Sequence, residues 1–251
     1  MEATTIDEVL QRLDKIIAES VRQNSHAGIF AYIYRRTTAQ VRQAIIDKQF
    51  DDNERMEHFD VHFANKYLEA YDQYFKDGSC SQPWKVAFDT MNERLTILQH
   101  ILLGMNAHIN YDLGLTAFEM APATGIDDIK HDFMKVNEVL NGLTDEMQYR
   151  LGRVSPLMFL LDWVGQNSDE QMINFSMVKA REQAWNFATA LYAGDEKSRI
   201  HTNEEVNTVI TKLAEKVFNP PGWFLKFILK LISRFEVKNI KKIIANLSRE
   251  S

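Results

Sequence analysis

Gln99-His100-Ile101-Leu102-Leu103-Gly104-Met105-Asn106-Ala107-His108-Ile109-Asn110-Tyr111-Asp112 is the stretch around which the rest of this sequence is arranged. Its apolar residues predict a buried helix, yet it also carries two His, two Asn, a Gln and an Asp. Residues four apart on a helix share a face, which gives one stripe of His100, Gly104, His108 and Asp112, and a second of Asn106 and Asn110. Because a buried polar group needs a partner, the stretch is either a functional site or a hydrogen-bond network.

The rest of the chain has the composition of an all-α protein. Of its 251 residues only five are Pro and ten are Gly, and apolar residues recur at helical spacing almost throughout. The sequence shows no useful run of strand-like alternation, no internal repeat and no Pro-, Gly- or Ser-rich linker. We therefore predict a single-domain multi-helix bundle around a long central helix at about residues 84–120.

Local capping signals place several other helices. Thr5-Ile6-Asp7-Glu8 is a capping box that predicts a first helix to about Asn24. Ser155-Pro156 predicts a short apolar helix through Val164, and Ser168-Asp169-Glu170-Gln171 predicts a longer one through about residue 192.

Composition and charge narrow the class of protein. Hydrophobic residues make up 45% of the chain and charged residues 25%, which is typical of a soluble globular protein. The net charge of −6 argues against nucleic-acid binding. Cys80 is the only cysteine, the acidic N-terminus lacks a signal-peptide core, and no apolar run is long enough to span a bilayer. We expect a cytoplasmic protein.

Two pairs of residues, a histidine with an aspartate and a histidine with a histidine, suggest a metal site. His108 and Asp112 form an H-x-x-x-D pair, a spacing that lets an imidazole and a carboxylate of one helix reach a common ion. His58 and His62 are also four residues apart, on an earlier helix. If these faces pack together, the four residues could bind zinc, iron or manganese.

A purely structural interpretation of the same residues stays open. An H-x-x-x-D pair is often only an intrahelical hydrogen bond. In addition, the face of the earlier helix that carries Phe59, Phe63 and Tyr67 could be the buried one, which would leave His58 exposed.

Arg181 and Asp132 could complete a buried centre. Arg181 lies in a stripe with Met177 and Trp185, so it could point inward, where it would need a carboxylate partner such as Asp112 or Asp132. The alternative is that Arg181 extends past Trp185 to water. No G-x-S-x-G, P-loop, H-E-x-x-H, C-x-x-C or paired E-x-x-H motif is present.

The C-terminal segment, residues 220–251, differs from residues 1–219, which we predict to form the helical domain. It combines a wide apolar face, including Trp223 and Phe227, with a basic stripe of Lys226, Lys230 and Arg234. Seven Lys or Arg and two Glu give it a net charge of +5. This amphipathic appendage could dock on the acidic body, or residues 222–242 could make a weak contact with a membrane surface.

The run Asn106-Ala107-His108-Ile109-Asn110-Tyr111-Asp112-Leu113 resembles the N-A-H-I-N-x-D-L marker of a bacterial and fungal family catalogued as a domain of unknown function. The similarity continues around Phe63 and Tyr67, at Trp84, at Asp132-Phe133 with Asn137, and at Arg181 with Trp185. The resemblance implies an all-helical fold and a shared site at these polar positions, with no established activity to carry over.

A more distant likeness is to the all-helical zinc-dependent phospholipase C and P1 nuclease group. Those enzymes use H-x-x-x-D/E pairs as zinc ligands, and here His108 and Asp112 match that pattern. They are secreted and use an N-terminal Trp as a ligand, whereas this chain begins Met1-Glu2 and has its first Trp at Trp84. The likeness implies hydrolysis of a phosphoester.

Three hypotheses follow for the function. The first is a metal-dependent hydrolase of an ester or phosphoester, which activates a water molecule. Its metal ligands are His62, His108, Asp112 and His58, and its catalytic residues are Asn106, Asn110, Arg181 and Asp132. The second is a metal-free site for a small-molecule ligand at the same place. The third is a structural or membrane-peripheral protein, and all three leave the oligomeric state open.

Overall fold

The computed structural model describes residues 2–161 and 177–249 of the chain. The predicted helix through Val164 therefore ends outside the described residues. The capping box predicted at Ser168-Asp169-Glu170-Gln171 lies outside them entirely.

The described residues fold into a bundle of α-helices and contain no strand, which confirms the predicted all-α class. In chain order the helices are α1 Ile6–Gln23, α2 Ala27–Ile46, α3 Asn53–Asp77, α4 Gln82–Asp89, α5 Ile97–Ala107, α6 Leu113–Glu119, α7 Lys130–Gly152, α8 Met177–Ala193, α9 Glu196–Phe218, α10 Trp223–Phe235 and α11 Ile240–Ser248. A π-helix, His108–Asp112, joins α5 to α6, and a 3₁₀ turn, Ile126–Ile129, precedes α7.

The first helix shows how closely local signals set the helix ends. The Thr5 side chain accepts a hydrogen bond from the Glu8 backbone N–H and caps the start of α1, as predicted. Asn24 ends α1 in the left-handed region, at φ 53°. Its side chain also accepts the backbone N–H of Ile240 at 3.0 Å, which ties the end of α1 to the start of α11.

The central helix is shorter than predicted, because it begins at Ile97 rather than near residue 84. The Thr90 hydroxyl donates to the Val86 carbonyl at 2.8 Å where α4 ends, and a turn with three consecutive exposed polar residues follows. A Thr96/Gln99 capping box then opens α5. The helical segments α5, the π-helix and α6 run on without interruption to Glu119, and we call residues 97–119 the central rod.

The central rod is enclosed because other helices pack directly against it. It contacts α2, α3, α4, α8 and α9. Two of its glycines permit the closest approaches: a Cβ atom on Gly104 would lie 2.4 Å from the Phe30 ring of α2, and one on Gly114 would lie 2.4 Å from the Phe187 ring of α8. The polar residues of the rod between Gln99 and Thr116 are therefore held inside the bundle.

The C-terminal segment forms two helices separated at residues 236–239. On α10, Leu225, Ile228 and Ile232 pack against Leu161. On α11, Ile240, Ile243 and Leu247 join the main core. The aromatic residues that α10 leaves exposed are Trp223, Phe224, Phe227 and Phe235.

The remaining predictions for this segment are untested. Both the boundary at residues 219/220 and the membrane-surface contact of residues 222–242 stay predictions. No helix among residues 2–161 and 177–249 is long and apolar enough to cross a bilayer.

Candidate functional site

The site begins with a histidine–carboxylate pair on the π-helix. His108 Nδ1 lies 3.0 Å from Asp112 Oδ2, and the same oxygen accepts the indole N–H of Trp84 at 2.7 Å. All three side chains are buried. Because Asp112 accepts the proton on Nδ1, the neutral imidazole carries its lone pair on Nε2. Single π turns within helices occur frequently at functional sites.

Aromatic rings enclose the His108 imidazole. Phe63 stacks on it with the ring centroids 3.8 Å apart and an angle of 5° between the planes. Tyr34 meets it edge-on at 4.4 Å and 80°. Burial lowers the pKa of His108, while the hydrogen bond and the charge of Asp112 oppose that shift. The ring is therefore held neutral, with Nε2 as a proton acceptor.

His108 also lines a small cavity of about 70 Å³. The walls are mostly apolar, but besides Thr37, whose hydroxyl donates to the Tyr34 carbonyl, five lining residues are polar: Tyr34, Thr38, Asp60, His108 and Arg181. They come from α2, α3, the π-helix and α8, so four separate segments bring polar groups to one place. The volume is that of about two water molecules, at about 30 Å³ each, which is enough for the polar end of a small molecule.

Each of these five residues keeps a buried polar atom without a hydrogen bond of normal length. The atoms are Tyr34 Oη, Thr38 Oγ1, Asp60 Oδ2, His108 Nε2 and Arg181 Nε. Buried polar atoms in folded proteins almost always have a partner, so five such atoms around one cavity form a set of donors and acceptors available to a ligand.

Asp60 and Arg181 supply the charge of the cavity. Burial raises the pKa of Asp60 to about 7, although the positive charge of Arg181 opposes the shift. Burial lowers the pKa of Arg181 to about 10, and Asp60 opposes that shift in turn. Arg181 therefore stays charged at neutral pH, whereas Asp60 can gain or lose a proton there.

Arg181 points inward, as one of the two interpretations of the sequence predicted, and is 5% exposed. Its Nη2 donates to the Phe133 carbonyl, and its guanidinium lies 4.6 Å from the Phe133 ring centroid. The prediction that Asp112 or Asp132 balances its charge was wrong, since the acidic residue that acts on it is Asp60.

Asp132 is occupied elsewhere. Its two carboxylate oxygens accept the backbone N–H groups of Asp51 at 2.7 Å and Asp52 at 3.1 Å, and the Arg55 guanidinium at 2.9 Å. This carboxylate holds the start of α3 in place. It does not line the cavity beside His108.

The two asparagines face away from the cavity as well. Asn106 Nδ2 donates to the Ile210 carbonyl of α9 at 3.0 Å, and Asn110 Nδ2 donates to Asn106 Oδ1 at 3.0 Å. Asn106 joins the central rod to α9 and Asn110 binds Asn106, whereas we predicted both as catalytic residues.

The four predicted metal ligands do not come together. His62 Nε2 lies 2.6 Å from Glu119 Oε2 in a half-exposed pair, and His58 is exposed to solvent. The alternative interpretation of α3 is confirmed, because Phe59, Phe63 and Tyr67 form its buried face. The predicted arrangement fails because α3 turns those rings, rather than its histidines, toward the rod.

A different group of possible metal ligands is Asp51, His131 and Asp132. One ligand atom from each lies within 4.8 Å of the other two, and this is the one such group among the described residues. His131 Nδ1 lies 2.7 Å from Asp51 Oδ2. The Asp132 oxygens already accept N–H groups, and the Arg55 cation beside them disfavours a second positive charge.

Sequence reasoning missed Asp60, Tyr34 and Thr38 as site residues, although a signal existed for each. Asp60 lies at core spacing on α3, four residues after Met56 and three before Phe63, so a carboxylate interrupts an otherwise apolar face. Tyr34 and Thr38 are four residues apart on the buried face of α2. Polar residues at core positions are the feature that would have identified them.

Comparison with known proteins adds a family and no activity. No curated protein and no solved structure matches the chain. The likeness to zinc-dependent phospholipase C and P1 nucleases stays a resemblance only. One family model, described as "Family of unknown function (DUF5995)", matches residues 6–220, which include the central rod and every residue of the cavity. The chain therefore belongs to this family of unknown function, DUF5995.

Proposed function

We propose that the protein binds a small organic molecule by its carboxylate group in the cavity beside His108, and that one proton is taken up from solvent on binding and is held by His108 Nε2 against that group. The observation that carries the proposal is the group of five buried polar side chains around one cavity: Asp60, His108 and Arg181 each keep an atom without a partner, and the Tyr34 and Thr38 hydroxyls pair with each other. Such a set costs stability in a protein that uses it only for folding, because each unpaired buried group costs about 1–3 kcal/mol.

The positions of these groups suit them to different roles in binding the ligand. The Arg181 guanidinium attracts an anionic oxygen, and the Tyr34 and Thr38 hydroxyls can donate hydrogen bonds to it. When Nε2 of His108 takes up the proton, the imidazolium is stabilised by Asp112 on the opposite side of the ring. Enclosure among apolar and aromatic side chains strengthens each of these interactions relative to water.

The metal-dependent hydrolase of an ester or phosphoester remains a prediction. His108 could act as a general base on an ester bound in the same cavity. The pairing of His62 with Glu119 and the exposure of His58 give no support to these two as metal ligands, and the contacts of Asp132 give none to its predicted catalytic role. The metal-free alternative fits the cavity better. Elemental analysis of protein purified without a histidine tag would test for zinc, iron or manganese.

The test of carboxyl binding uses acetate and propionate, which suit a cavity of about 70 Å³. We expect both to bind with dissociation constants of about 1 mM or weaker, as befits molecules of so few atoms, and to shift the His108 side-chain NMR signals. Arg181→Met and His108→Gln should each weaken binding at least tenfold, by removing the cation and the proton acceptor.

Arg55→Met is the matched control, because Arg55 pairs with Asp132 and does not line the cavity. It should leave acetate binding unchanged, with folding of every variant checked by circular dichroism. The proposal is wrong if acetate and propionate do not bind, or if Arg181→Met binds them as well as the wild type does.

A further inference from the structure

A second and larger cavity adjoins the one that holds the polar groups. Its volume is about 330 Å³, and it lies between α2, α5 and α7. Ile33, Thr37, Met105, Leu140 and Met177 line both cavities, so the two share a wall of five residues. The small polar cavity and the larger one are thus neighbouring spaces between the same helices, and the larger one reaches the surface at the exposed Gln148.

The lining of the larger cavity is almost entirely hydrocarbon and thioether. All of its lining residues except Thr37 and Gln148 are Leu, Ile or Met. The Thr37 hydroxyl donates to the Tyr34 carbonyl at 2.7 Å, so its polar atom is already satisfied. Four of the lining residues are Met, whose flexible and polarisable side chains adapt to a ligand of variable shape.

We infer that the two cavities together form the binding site of a single-chain amphiphile, a fatty-acid-like molecule with its hydrocarbon chain in the larger cavity. The inference rests on the proposed function, which places the carboxyl group beside His108 and Arg181. A polar end next to a largely apolar extension matches such a molecule, whereas a sugar, nucleotide or peptide would leave most of its polar groups unpaired in the larger cavity.

The size of the larger cavity sets the expected chain length. A methylene group occupies about the volume of a water molecule, about 30 Å³, so 330 Å³ holds about ten methylenes. Each methylene transferred from water into the cavity should improve the affinity about threefold to fourfold. The gain should stop when the chain exceeds the space available.

The experiment measures dissociation constants for straight-chain saturated carboxylates from acetate to hexadecanoate, each below its micelle concentration and at one pH. We expect the affinity to rise about threefold to fourfold per methylene and to level off at about ten methylenes. Leu143→Trp, which puts a larger side chain into the cavity wall, should weaken decanoate binding at least tenfold and leave acetate binding unchanged.

Met147→Trp serves as a second blocking variant should Leu143→Trp fail to fold, since Met147 lines the same cavity. Val209→Trp is the control, because Val209 is 61% exposed on α9 and lines neither cavity.

The possible outcomes separate the two proposals. If acetate binds and depends on Arg181, yet affinity does not rise with chain length, the amphiphile inference is overturned and the proposed function stands. If long chains bind but Arg181→Met has no effect, the carboxyl site is overturned and the hydrocarbon cavity stands. If no carboxylate binds, both are overturned.

Discussion

The two sides of the central rod carry similar polar residues, but the main contacts of these residues differ between the sides. Toward α9, the amide groups of Gln99 and Asn106 donate to the backbone carbonyls of Val217 and Ile210. Toward α2 and α3, His108 keeps Nε2 unpaired at the edge of a cavity. Polar residues in a helix core can therefore hold neighbouring helices together or form a site, and their partners distinguish the two roles.

The hydrogen bonds on the α9 side fix the position of α5 relative to α9. Gln99 closes the capping box of α5 with Thr96 and also binds the Val217 carbonyl in the last turn of α9. Carbonyls in a last turn have no partner within their own helix, so this bond satisfies a group that would otherwise be unpaired. On the cavity side, the unpaired atoms cost stability, which is typical of sites kept for binding.

The largest expected change in the free energy of unfolding comes from a substitution on the α9 side of the central rod. Gln99→Met removes the capping-box partner of Thr96 and leaves the Val217 carbonyl without its side-chain donor. We expect the free energy of unfolding to fall by about 2–4 kcal/mol, measured by urea denaturation. Gln43→Met, an exposed site whose amide binds Asp47, should change it by less than about 0.5 kcal/mol. Equal effects at the two sites would show that the α9 side does not hold the helices together.

A smaller, pH-dependent effect on the free energy of unfolding is expected at His100. This residue lies on the same stripe of the helix as His108, but its ring stacks on that of His26, with the ring centroids 4.4 Å apart. Burial lowers the pKa of His100 to about 3, and the nearby His26 lowers it further. The unfolded chain takes up this proton near pH 6.5 and the folded protein near pH 3, so stability is lost as the pH falls between those values.

His100→Phe keeps the ring stack and removes this titration. Wild type should lose about 2 kcal/mol more than the variant between pH 6.5 and pH 5, at about 1.4 kcal/mol per pH unit. Unfolding curves recorded from pH 4.5 to 8.5 would measure the difference, and above pH 7 the two proteins should change in parallel. Identical slopes below pH 6 would contradict the assignment.

The smallest expected effect is the change in the free energy of unfolding when a buried tyrosine hydroxyl is removed. Its sign should differ between the α9 side and the cavity side of the central rod. Tyr111 Oη donates to Asn203 Oδ1 at 2.9 Å, whereas Tyr34 Oη has no hydrogen bond of normal length, and both side chains are buried. Tyr111→Phe should lower the free energy of unfolding by about 1 kcal/mol, while Tyr34→Phe should leave it unchanged or raise it by up to about 1 kcal/mol. Chemical denaturation of both variants measures the pair, and a loss at Tyr34 equal to that at Tyr111 would make the cavity side a structural network.

Much of the fold could be predicted because its signals are local. The Thr5 capping box, the Asn24 stop and the 3.6-residue spacing of apolar side chains involve residues within one or two helical turns of each other. The break at residues 90–96 was missed because apolar spacing resumes on both sides of it, although the exposed Asn92, Glu93 and Arg94 and the Thr96/Gln99 box marked it.

By itself, the sequence determined the all-α class, the ends of α1 and the position of the polar stretch, including the His108–Asp112 pair within one helix. Only the tertiary structure decided which groups meet that pair: Trp84 on Asp112, Phe63 on His108, and Asp60 with Arg181 at the cavity. The reason is physical. Helix formation and capping depend on neighbours along the chain. Contacts between helices depend on which faces pack together and on the register of the helices along their axes, and side chains far apart in sequence set both.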